Sequence, residues 1–83
     1  MDTMYNVFVR DSANARRQIQ VHPEWSLRRF FEMAAVQTRE PITRILVGLK
    51  EYSLERHGTQ RLKNLGIISN IEVTLLVAFE SGY

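Results

Sequence analysis

The chain has 83 residues, 45% of them apolar and 24% charged, which is ordinary globular composition and enough for one modest core but not two. It has no cysteine, which excludes disulfides, thiolate catalysis and cysteine-bound zinc together and fits a reducing compartment. The net charge of +2 is mild, no apolar stretch approaches the roughly 18 residues of a membrane span, and Met1-Asp2-Thr3-Met4 lacks the apolar run of a signal peptide. A single domain over residues 1–83, cytoplasmic or nuclear, is the expectation.

In chain order, Val7 and Val9 alternate with Asn6, Phe8 and Arg10, the pattern of a half-buried strand. Asp11-Ser12-Ala13-Asn14-Ala15 is a turn cluster, because Asp, Ser and Asn bond locally to the backbone. Ile19 and Val21 then alternate with Gln18, Gln20 and His22, giving a second strand and a hairpin. Pro23 lacks the N–H that a ladder needs and ends it. Ser26 is suited to cap a helix, with Trp25 and Phe30 at the spacing of a hydrophobic staple. Leu27, Phe30, Phe31 and Ala34 form one helical face, and Pro41 stops the helix near residues 37–39.

A third strand is expected with Ile45, Val47 and Leu49 on one parity and Leu46 and Gly48 on the other. Residues 52–58 read as a polar loop. Leu62 and Leu65 read as one helical turn stopped by Gly66, and Val73, Leu75 and Val77 as the inner face of the final strand. The order β-β-α-β-short helix-β is α+β, with one helix on one face of the sheet.

Little in the chain suggests chemistry. His22 and His57 lie far apart with no local ligand pattern, so no metal is expected. Ser26 is better explained as a cap than as a nucleophile, since no base stands near it in sequence. The glycines form no phosphate-binding pattern. The expectation is a non-enzyme without a cofactor. Arg16 and Arg17, with Arg28 and Arg29, make two basic pairs that would form a partner face if brought together. Without interleaved aromatics, that face suits acidic protein better than nucleic acid.

The ordered set resembles the ubiquitin-like family over residues 5–79. Val7 and Val9 match that family's first strand, Ile19 and Val21 its second, and Pro23 the proline after it. Ser26-Leu27 match the helix cap and first core residue, Pro41 the proline beyond, and Leu62, Leu65, Ile67, Val73 and Leu75 the terminal core. The loop around Ser53 to Gly58 is longer than ubiquitin's. Residues Glu24 to Phe31 are also similar to the ubiquitin-like domain of the DNA-damage-inducible proteasome shuttles.

The resemblance implies a ubiquitin-like β-grasp fold with a mixed sheet. It also implies a monomeric, non-catalytic interaction module, bound by ubiquitin-receptor or proteasome-type proteins. Strands three and five are neighbours in the family. Outward-facing Leu46 and Leu76 then share an exposed patch, bordered by Gly48, Thr74 and Phe8, on the face by which ubiquitin is recognised. Ser12 and Thr74 replace a leucine and a histidine of ubiquitin there, which implies modest affinity and a different partner set. The alternative is a protein modifier. Removal of Tyr83 would leave Gly82 as a conjugable terminus, but Phe79-Glu80-Ser81-Gly82 lacks ubiquitin's basic, double-glycine tail, so the module is preferred.

Overall fold

The computed structural model describes residues 3–77, so Gly82 and the rest of the C-terminal segment lie outside the described residues. Along the chain run β1 (Tyr5–Arg10), β2 (Arg16–Val21), α1 (Leu27–Thr38), β3 (Ile42–Val47), β4 (Lys50–Ser53), α2 (Leu54–His57), a 3-10 turn (Leu62–Leu65) and β5 (Glu72–Val77). The sheet order is β2-β1-β5-β3-β4, with β1 and β5 parallel and the other neighbours antiparallel. This is the expected mixed sheet, with α1 laid across one face.

Alternation places Val7, Val9, Ile19, Val21, Ile45, Val73 and Leu75 on the inner face. Against them α1 buries Leu27, Phe30, Phe31 and Ala34. Burial of such side chains, at about 1.5–3 kcal/mol each, is the main force holding helix to sheet. Leu62, Leu65 and Ile67 close the core from the connection before β5. Between Ile42 and Arg44 the β3–β5 register shifts, and this bulge lets both Ile42 and Ile45 face inward.

The helix is bounded as its sequence requires. Ser26 accepts a hydrogen bond from the Arg29 amide at 3.2 Å, while Arg39 takes the left-handed conformation at φ 59° just past Thr38. Gly66 ends the 3-10 turn in the same region, at φ 79°.

Two expectations are corrected. Residues 52–58 are not a polar loop: Tyr52 and Ser53 complete β4, and Leu54–His57 forms α2, capped by the Ser53 hydroxyl. Tyr52 and Leu54 pack on the core's margin, which anchors the segment despite its polar sequence. Leu49 does not share the inner parity of Ile45, because β3 ends at Val47 and Gly48-Leu49 make a tight turn into β4. Leu49 is left fully exposed, at 103%.

Candidate functional site

Pairing fixes what the sheet shows on the side away from α1. Leu46 stands opposite Thr74, and Arg44 opposite Leu76, across the β3–β5 pair. Leu46 and Leu76 are therefore diagonal neighbours, roughly 7–8 Å apart. On the other flank of β5, Arg10 stands beside Thr74 and Phe8 beside Glu72. The structure thus brings Leu46, Thr74, Leu76 and Phe8 to one face, and all four are half-buried. Gly48 lies at its margin, exposed in the turn at φ 64°.

The face carries more charge than the hydrophobic pattern revealed. Glu72 accepts from Arg10 Nε at 3.0 Å and from Arg16 Nε at 3.2 Å. The Arg16 guanidinium also lies 4.1 Å from the Phe8 ring centroid, so Phe8 is capped rather than bare. Arg10, followed by Arg16, holds the Glu72 carboxyl below the usual carboxylate range. On the other flank, Arg44 pairs with Glu51 at 3.0 Å. The apolar centre of Leu46 and Leu76 is thus framed by two exposed ion-pair groups.

The two basic pairs do not form one face. Arg16 belongs to the outer sheet face, and Arg17 binds Asp11 Oδ2 at 3.0 Å in the first hairpin. Arg28 and Arg29 begin α1, past the far end of β2; at about 3.3 Å per residue, that end is roughly 17 Å from Arg16. Arg29 lies 5.0 Å from the Trp25 ring centroid, and Arg28 borders an open hollow of about 260 Å³ that includes Phe31, Pro41 and Leu54.

Sequence reasoning missed Arg10, Arg44 and Leu49 as members of the outer surface. Parity from Phe8 and Leu46 places both arginines there, whereas Leu49 is hidden by carrying the alternation through Gly48. Among the described residues no group of three or more His, Asp or Glu is placed to hold a metal ion. No helix among them is long and apolar enough to cross a membrane.

No protein-family model matches the chain, and no curated protein matches it in sequence. Among solved structures it is similar to a de novo protein designed on the basis of ubiquitin, at 16% identity over 96% of this chain and 95% of that one, with TM-score 0.76. It is also similar to a chain in the crystal structure of ATBAG1 in complex with HSP70, at 18% identity and TM-score 0.77. That match covers 94% of this chain and 42% of the other, so the chain spans less than half of that neighbour's length. The fold is ubiquitin-like, a β-grasp of the α+β class.

Proposed function

We propose that this domain is a non-catalytic protein-interaction module that docks its partner on the outer sheet face, centred on Leu46 and Leu76. The observation that carries this reading is the β3–β5 register, which sets two half-buried leucines side by side opposite the helix-bearing face. A structural neighbour solved in complex with HSP70 supports protein partners as a class. The finer assignment, to ubiquitin-receptor or proteasome-type partners in the cytoplasm or nucleus, draws on the shuttle-like sequence of residues 24–31.

The test is capture of purified ubiquitin-receptor and proteasome-subunit proteins by the immobilised domain and its variants. Leu46→Asp and Leu76→Asp should weaken capture about thirtyfold, equivalent to about 2 kcal/mol at an interface anchor. Their melting should change little, as for most surface substitutions. Retained capture by both variants would overturn the reading. So would ATP-dependent conjugates in lysate from a form ending at Gly82 that vanish when Gly82 is deleted, because they would make the domain a modifier.

A further inference from the structure

We propose that Leu49 is a protruding anchor that enters an apolar pocket, rimmed by carboxylates, on a protein partner and fixes where the outer sheet face docks. The inference rests on the interaction-module reading and names the partner's chemistry. Leu49 occupies the second central position of the two-residue turn joining Val47 to Lys50. Gly48 supplies the positive φ such a turn needs at its first central position, at 64°. The second position is then free to be polar, and Gly, Asn, Asp and Ser are the residues that usually populate such turns. A leucine there contributes nothing to the turn and leaves its whole side chain in water. It is 103% exposed, against 72% for Val36, 58% for Ile68 and 38% for Met4. Local choices that conflict with local structure are expected where function overrides stability.

Position strengthens the case. Leu46 lies three residues before Leu49, and Val47 pairs with Val73, so the turn leaves the sheet at the edge of the leucine patch. A side chain added at Gly48 would meet nothing within 4 Å, so the turn that carries Leu49 stands in open space. A partner can cover Leu46 and close around Leu49 without displacing any part of this domain.

Charge selects the kind of pocket. The outer face carries three cations, Arg10, Arg16 and Arg44, against Glu72 and Glu51, and Lys50 adds a further cation directly after the anchor, at the start of β4. This excess of positive charge favours a rim of Asp and Glu. A protein fits better than a nucleic acid, because bases stack on rings and the one ring on this face among the described residues, Phe8, lies under Arg16.

The experiment places a diazirine-bearing aliphatic residue at position 49 of the full chain, irradiates it in cell extract, and identifies the cross-linked residue. The partner so found is then purified and titrated against variants. The cross-link should fall in an apolar pocket bordered by Asp or Glu. Leu49→Ala should weaken binding by tenfold to a hundredfold, as expected for losing one buried leucine contact, and Leu49→Met should restore most of it. No cross-link, or one to nucleic acid or lipid, overturns the proposal. Full affinity of Leu49→Ala alongside loss in Leu46→Asp removes the anchor alone. Loss in Leu49→Ala with full affinity in both Leu46→Asp and Leu76→Asp removes the face reading on which it rests.

Discussion

Asp11 satisfies three donors in the first hairpin. Its Oδ1 accepts from the Ala13 and Ala15 amides at 3.0 and 2.9 Å, and its Oδ2 accepts from Arg17 Nε at 3.0 Å. The turn cluster was legible as Asp-Ser-Ala-Asn-Ala, but its ionic closure was not, because the clasping Arg17 lies across the turn and reads as an exposed strand residue. Arg17 first, then the Ala15 amide, holds the Asp11 carboxyl below the usual carboxylate range. A depressed carboxylate stabilises the fold above its unfolded pKa of about 3.9, and that contribution disappears as pH falls through the folded value. The loss therefore lies on the acid side of about pH 4. Asp11→Asn keeps an acceptor for the amides and removes the titration. Its melting temperature should fall less between pH 6 and pH 2 than that of the parent. An equal fall in both would show that Asp11 does not contribute to acid sensitivity. Glu24, held down chiefly by Lys63, and Glu72 act in the same direction, so the Asp11→Asn variant should still soften in acid, though less than the parent.

At the scale of elements, the strands and helix with clear periodicity were readable. Val7 with Val9, Ile19 with Val21, and Val73 with Leu75 each sit two apart and point to one core, while Leu27, Phe30, Phe31 and Ala34 trace one helical stripe. Truncating Phe30 or Leu75 to Ala should cost about 2–5 kcal/mol in denaturant unfolding. Near-native stability of both would contradict the inward parity on which the site also depends. Ser26→Ala should cost about 1 kcal/mol through its lost cap, and Ser26→Asp should recover most of it. The Lys50–Ser53 strand was hidden because it lies at the sheet edge, where charged residues replace an alternating apolar face. α2 did have a signal, since Ser53 precedes Leu54-Glu55-Arg56-His57 as a cap precedes a short helix with its acid first and bases last. A single turn buries too little to create a periodicity, so the apolar pattern could not reveal it.

Across the whole molecule, parity located the leucine patch, yet could not show its electrostatic frame. Arg10 and Arg16 meet Glu72 only because strands far apart in sequence lie side by side. The grouping of four arginines into one face failed for the complementary reason: β2 separates its two ends by its own length. Reversing both Arg28 and Arg29 to Glu should consequently leave partner affinity within a few-fold and alter mainly association rate and salt dependence. Abolished binding in that variant, with normal binding by the leucine variants, would move the recognition surface to the start of α1.

The central place of β5 has a kinetic consequence. It is the last described strand to be made, yet it lies between β1 and β3, with β1 as its parallel partner. Until it leaves the ribosome, the hairpins on either side have no strand to join them, and α1 has only half a sheet to cover. The nascent chain should remain protease-sensitive while Val77 is still inside the exit tunnel, then become resistant in a single step once β5 emerges. Because its decisive pairing joins the most distant segments, the domain should fold more slowly than a helical bundle of the same length. A β1–β2 hairpin with α1 is therefore exposed for much of synthesis, with the β1 edge that β5 will later fill left unpaired.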